Sequence, residues 1–217
     1  MSEHPTTLKD SGGDRVEAVL HDEVDLDALF DAEASWAEPR ARILQTFTKR
    51  GAHKPPQTVH WTWAQKAFSL SRRQLAPGPL SIVRVFGIKR DEAWQGMMLA
   101  FSEGYRVRVG TPGRDLVYVE YLESAPWNWE LPEIGQVGKF RGVGPQLLAM
   151  ATLWSQQLGM KGRVGLHGIS QAESFYRGRC QMTDLGMEKA PGALKGLTYF
   201  EFTEVQANEF LERSVQP

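Results

Sequence analysis

The stretch Lys139 to Met150, KFRGVGPQLLAM, places two glycines one residue apart directly before a proline and an apolar helical run. Glycines before a helix start let something approach the backbone closely. Pro145 suits the first helical position. Leu147, Leu148, Ala151, Trp154 and Leu158 form one apolar face, and Gly159 is a natural stop. Upstream, LVYVEYL (Leu116 to Leu122) is apolar on both faces and predicts a central strand. Downstream, RVGLHGI from Arg163 predicts a short apolar strand. Two strands flanking such a helix are expected to be parallel neighbours joined by a right-handed crossover.

The remaining pattern surrounds that unit. From Asp25 the chain reads as a helix with Leu26, Leu29, Phe30, Trp36 and Ala37 on one face, interrupted by Glu33. Pro39 predicts the start of a second helix, with Ile43, Leu44 and Phe47 inside and Gly51 as its stop. Thr58 is placed to cap a third helix, which the PGP at Pro77 to Pro79 ends. The period then changes from helical to alternating. LSIVRVFGI from Leu80 and EAWQGMMLAF from Glu92 read as a hairpin, and YRVRVG as a strand with one wet face. LTYFEF is a late strand, and Thr203 caps a last helix. The fold class is α+β with a mixed sheet. Residues 1–22 are expected to be a polar, flexible terminus, 23–78 a helical region packed on the core, and 79–217 the core with its C-terminal helix.

With 217 residues the chain is long enough to bury a core unaided, and its 41% hydrophobic and 24% charged residues fit a globular protein. The single cysteine, Cys180, rules out an intrachain disulfide and fits a reducing compartment. MSEHPTTLKD has no apolar core of a secretory signal, and no run reaches the length of a membrane span, so a cytoplasmic location is expected. A net charge of −1 argues against a dedicated nucleic-acid binder.

A strand–GxG–helix unit reads as a phosphate site, because the helix start offers unpaired N–H groups and a partial positive charge. A tight turn is the structural alternative. A P-loop needs Gly-Lys-Ser/Thr, but Pro-Gln follows Gly144. A dinucleotide site wants a third glycine near Leu147 and an acidic residue after the next strand, and has neither. Lys139-Phe140-Arg141-Gly142-Val143-Gly144 resembles the Q/R-x-x-G-x-G/A loop of the GNAT N-acetyltransferases. Gln171-Ala172-Glu173-Ser174-Phe175-Tyr176 is similar to that family's A-E-x-F-Y segment, and Leu185-Gly186-Met187 to its Leu-Gly-Phe/Met ending. The resemblance covers about residues 80 to 203. It departs at Lys139, at Pro145, which has no N–H, and in the long loop from Ser124 to Val137.

The resemblance implies a GNAT-like, mostly antiparallel sheet with flanking helices around the central parallel unit. It implies acetyl-CoA as co-substrate, an amine acceptor that is a small molecule or a protein, and a homodimer as the family often forms. It implies CoA contacts at Arg141, Gly142, Val143, Gly144, Gln146, Ser170, Phe175 and Tyr176. Acetyl transfer needs a proton taken from the amine and one given to the thiolate. The resemblance makes Tyr176 the proton donor, against a packing role in a short helix. Glu120, mid-strand among apolar residues, is a base candidate by desolvation, or else the partner of Arg106 or Arg108. Glu123, at the strand's end, is the second base candidate, and a water relay is the third. Trp127 and Asn128 are suited to walling an acceptor pocket and orienting an amide, or to packing a surface loop. His60, Trp61 and Trp63 line the acceptor side or the core. His167 reads as a core histidine. Cys180 has no metal-ligand spacing around it, so no metal is expected. The second function class is a GNAT-shaped module that holds CoA or a protein without catalysis.

Overall fold

The computed structural model describes residues 2–51, 55–74, 83–110, 112–189, 191–192 and 194–215. Pro77 to Pro79 and the first residues of the strand expected from Leu80 lie outside them. In chain order the elements are β1 (Glu3–Asp10), β2 (Arg15–His21), α1 (Leu26–Arg50), α2 (Trp63–Gln74), β3 (Val83–Arg90), β4 (Ala93–Phe101), β5 (Val117–Ser124), β6 (Phe140–Arg141), α3 (Val143–Gln157), β7 (Val164–Gly168), β8 (Thr183–Met187), β9 (Thr198–Glu201) and α4 (Glu204–Val215). The strands follow the order β6-β1-β2-β3-β4-β5-β7-β9-β8. β5 and β7 run parallel, as the flanking of α3 predicts, with Val117 opposite Val164. The pairs β1–β2, β1–β6, β2–β3, β7–β9 and β8–β9 are antiparallel. No helix among the described residues is long and apolar enough to cross a membrane.

The chain forms two compact units. One comprises Met1–Leu80, Val85–Met97 and Leu122–Gly144, the other Ser81–Arg84, Met98–Tyr121 and Pro145–Pro217. In the first unit the N-terminus is structured, contrary to the expectation of a flexible tail over 1–22. Leu8, Ala18 and Leu20 alternate into the core, and Leu8 pairs with Val16 across β1 and β2. The Asp10 carboxylate closes the hairpin by accepting the Gly12 and Asp14 amides, each at 2.9 Å. The short, polar alternation hid these strands, because only every second residue meets the core.

α1 is one helix of 25 residues, not two. Asp25 caps it by accepting the Ala28 amide, and Gly51 ends it in the left-handed conformation. Pro39 lies inside it. A proline leaves the carbonyl four residues earlier without its donor, and here that residue, Ser35, is exposed. The stripe of Leu29, Ala32, Trp36, Arg40, Ile43 and Phe47 is buried on both sides of the proline, so one continuous face holds the helix together. Trp36 and Trp63 meet edge to face at 6.4 Å, and the Trp36 indole donates to the Trp94 carbonyl at 3.0 Å. The third helix begins at Trp63 after a short 3₁₀ turn over Gln57–His60, rather than at a Thr58 cap.

In the second unit, α3 buries Leu147, Leu148, Ala151 and Trp154, and Arg84 covers the Trp154 ring at 5.1 Å. Thr203 caps α4 through the Gln206 amide, as expected. Residues 105–110 form no strand, despite their alternation. The Arg108 and Val109 amides instead donate to the buried Glu201 carboxylate at 2.9 and 3.1 Å. β8 is a strand the sequence did not announce. It is largely exposed, Leu185 and Met187 included, and carries a register shift between Asp184 and Met187, so its short alternation meets no core.

Gly87 on β3 shows how tightly the first unit is filled. A Cβ there lies 2.6 Å from the Trp94 ring and 3.2 Å from the Met97 sulfur. Gly87→Ala is therefore expected to lose about 1–3 kcal/mol, measured as a lower urea midpoint with an unchanged m-value.

Candidate functional site

The glycine turn is built from a strand fragment, a loop and a helix start. Phe140 and Arg141 pair with Asp10 and Lys9 of β1, which carries the chain to the turn in extended form. Gly142 then adopts φ +99°, a value that a side chain makes costly, and α3 begins at the next residue. The first-turn amides of a helix have no carbonyl four residues behind them. Val143 and Gly144 contribute such N–H groups. Pro145, here the third helical residue rather than the first, contributes none. Arg141 and Lys139 are exposed cations beside the turn. The Arg141 guanidinium meets Glu130 at 2.8 Å, and Lys139 lies over the Phe140 ring at 5.1 Å. Gln146 sits half-buried in the first turn of α3.

The long loop between β5 and the turn is tightly hydrogen-bonded. Asn128 is buried, and its amide is committed to the fold. Its Nδ2 donates to the Gln95 carbonyl and side-chain oxygen at 3.1 and 3.2 Å, and its Oδ1 accepts the Phe140 amide at 3.0 Å. The Trp127 indole donates to Gln95 Oε1 at 2.8 Å, and its carbonyl accepts the Lys139 amide at 2.9 Å. These residues therefore hold the glycine turn in place, the packing alternative to Trp127 walling an acceptor pocket and Asn128 orienting a substrate amide. Leu131 anchors the same loop against Ile43 and Phe47 of α1.

Glu123 stands at the end of β5 in a buried polar cluster of the same unit. Arg40 Nη2 donates to its Oε2 at 3.0 Å, and Trp63 Nε1 donates to the same oxygen at 2.8 Å. Arg40 Nη1 reaches both oxygens of Glu33 at 3.1 Å, and Glu33 accepts the Trp63 amide at 2.7 Å. Glu33 interrupts the apolar face of α1 because its charge is answered there. Burial pushes the Glu123 carboxyl up to about 7, against the opposing pull of the Arg40 charge, the Trp63 N–H and Lys66. Lys66 lies over the rings of Trp61 and Trp63 at 4.9 and 5.3 Å. His60 is exposed and Trp63 fully buried, so the three residues of that stretch do not act as one group.

Glu120 belongs to the second unit and is half-buried on β5. An odd separation along a strand sends Glu120 and Glu123 to opposite faces. The arginines considered for Glu120 each have a carboxylate partner of their own. Arg106 pairs with Asp115, and Arg108 with Glu188 at 3.2 Å. Tyr176 is buried in a π-helical turn, Phe175–Arg179, against Phe175 and Phe200 at 5.0 and 5.4 Å between ring centres. Burial, with a smaller contribution from Cys180, raises its phenol above the usual value, so it holds its proton at neutral pH. Phe175 is half-buried beside it. Ser170 opens a short 3₁₀ turn, and Glu173 turns to Thr198 at 2.6 Å and to Arg177. Cys180 is buried, with its thiol pushed up to about 12 by desolvation. His167 is a core histidine, hydrogen-bonded to Tyr118 at 2.8 Å. No group of three or more metal-ligating side chains occurs among the described residues.

Sequence reasoning missed Arg40. Its signal was present: Glu33, Trp36, Arg40 and Ile43 follow helical spacing on one face, so a cation seven residues after an inward carboxylate shares its buried stripe.

No family model and no curated protein matches the chain. Solved structures do. An uncharacterized protein from Bacillus halodurans superposes at a TM-score of 0.52 and 8% identity, over 97% of this chain and 95% of that one. The GNAT domain of S. lividans PAT superposes at a TM-score of 0.50 and 11% identity, over 92% of this chain and 96% of that one. The sheet with one parallel pair, the glycine turn between β5 and β7, and the flanking helices give this chain the fold of the GNAT acetyltransferases.

Proposed function

We propose that the protein is an acyl-CoA-dependent N-acetyltransferase that moves an acetyl group from acetyl-CoA to an amine by direct transfer. The observation that carries this reading is the left-handed glycine turn leading into a helix of 15 residues within a GNAT fold. The donor set fits a pyrophosphate. Val143 and Gly144 offer first-turn amides, Gly142 presents no Cβ, and Lys139 and Arg141 add positive charge beside the turn. Pro145 removes one donor without closing the turn.

The thioester supplies an activated acetyl group. The chain's own residues manage the protons. Glu123 is the base we favour over Glu120, because desolvation brings its carboxyl close to neutral pH. It is charged over the upper part of the working range and takes the proton of the amine, directly or across a water. Tyr176 keeps its proton until the sulfur leaves, which is what a donor to a thiolate requires. Gln146, Ser170 and Phe175 are assigned to CoA by the family resemblance. The acceptor is a small molecule or a protein amine.

Two measurements test this. Saturating acetyl-CoA at a hundred times Kd stabilises a protein by about 2.7 kcal/mol, which at this size raises the melting temperature by about 5–10 °C. The shift is expected with acetyl-CoA, to be absent with NAD and ATP, and to vanish in Gly144→Val. No shift with acetyl-CoA means that the glycines only make a turn. In a thiol-release assay against a panel of primary amines, kcat/KM is expected to rise as pH passes through about 7, where Glu123 loses its proton. Glu123→Gln is expected to lower it by about a hundred- to ten-thousand-fold while leaving the acetyl-CoA shift intact. Binding without turnover in the native protein favours the non-catalytic module.

A further inference from the structure

The two oxygens of the Glu123 carboxylate are treated differently. Arg40 and Trp63 both donate to Oε2, at 3.0 and 2.8 Å, while Oε1 is buried and has no hydrogen-bond partner among the described residues. The donors belong to a closed ring. Arg40 bridges Glu123 to Glu33 within α1's reach, and Glu33 accepts the backbone amide of the same Trp63 whose indole holds Glu123. Arg40 is itself almost fully buried, at 4% exposure. A closed ring fixes the plane of the carboxylate. A purely structural ion pair is expected to spread its donors over both oxygens, because a buried carboxylate oxygen without a donor is costly. Here both donors converge on one oxygen, and the other, like Arg40 Nε, has no partner among the described residues.

We infer that Arg40 and Trp63 are positioning residues for proton transfer: they clamp Oε2 and leave the buried Oε1 as the atom that accepts the proton of the amine, relayed by a water. This rests on the acyl-transfer reading above. Among the described residues the charged groups around the carboxylate are Arg40 and, paired with it, Glu33 from α1, and Lys66 from α2. Their signs define the behaviour. Arg40 and Lys66 favour the charged carboxylate, and Glu33 opposes it. Arg40 therefore also sets the pH above which Oε1 is ready to accept a proton.

The test follows one carboxyl and one rate in parallel. The full chain is labelled with glutamate ¹³C at Cδ, and the Glu123 resonance is identified by its loss in Glu123→Gln. Its titration midpoint is compared with the pH profile of kcat/KM for thiol release from acetyl-CoA with a primary amine. In Arg40→Met both midpoints are expected to rise together by about one to three pH units. Arg40→Lys is expected to bring both back toward the native value. Should Arg40→Met fail to fold, Glu33→Gln, which preserves the hydrogen-bonding shape, is expected to lower both midpoints. A carboxyl midpoint that moves while the rate profile stays still makes the ring a structural ion pair and overturns the proposal. So does a midpoint indifferent to Arg40. A native protein that shows neither thiol release nor an acetyl-CoA thermal shift overturns the acyl-transfer reading itself, an outcome distinct from an active enzyme whose profile ignores Arg40.

Discussion

The first unit depends on a buried charge. Arg40 lies inside α1 with Glu33 on one side and Glu123 on the other, and the three groups share a ring closed by Trp63. Burying an ion costs several kcal/mol, so the arrangement holds only while every partner is present, and removing one partner of such a pair costs about 3–5 kcal/mol. The ring ties α1, α2 and the end of β5 together at one point. It also explains why α1 runs unbroken through Pro39. Trp36 precedes the proline and Arg40 follows it, and both must stay on the same face.

A second constraint is the loop between β5 and the glycine turn. A connection of this length without its own hydrogen bonds would place the turn poorly. Here Gln95 on β4 collects Trp127 and Asn128, Asn128 passes the bond on to Phe140, and Gln136 ties the loop to the carbonyls of Pro126 and Trp129 at 2.9 Å. The Cβ position of Gly138 lies 2.6 Å from the Asn128 carbonyl, so the loop closes on itself where no side chain fits. The turn is held by side chains that looked, in sequence, like groups for recognising a substrate.

Much of the fold was legible because strong patterns are local. The α3 face of Leu147, Leu148, Ala151 and Trp154, the parallel strands around it and the Thr203 cap follow from residue spacing alone. Weak patterns failed. β1 is polar on most positions, β8 exposes its two apolar side chains, and the alternation of residues 105–110 is answered by the Glu201 carboxylate instead of a neighbouring strand. Pro39 marked a helix start in sequence because propensity sees one residue and not the stripe that crosses it.

By itself the sequence determined the mixed α+β class, the glycine turn and the identity of the two candidate carboxylates, while Tyr176 entered through the family resemblance. These rest on period, on glycine's freedom at positive φ and on residue chemistry, all of which are properties of short stretches. Only the tertiary structure decided which carboxylate is desolvated, that Arg40 and Trp63 hold one of its oxygens, and that Asn128 serves the backbone. Burial and hydrogen-bond partners come from residues distant in the chain, separated by 83 positions for Arg40 and Glu123, and no local pattern encodes which of them will meet.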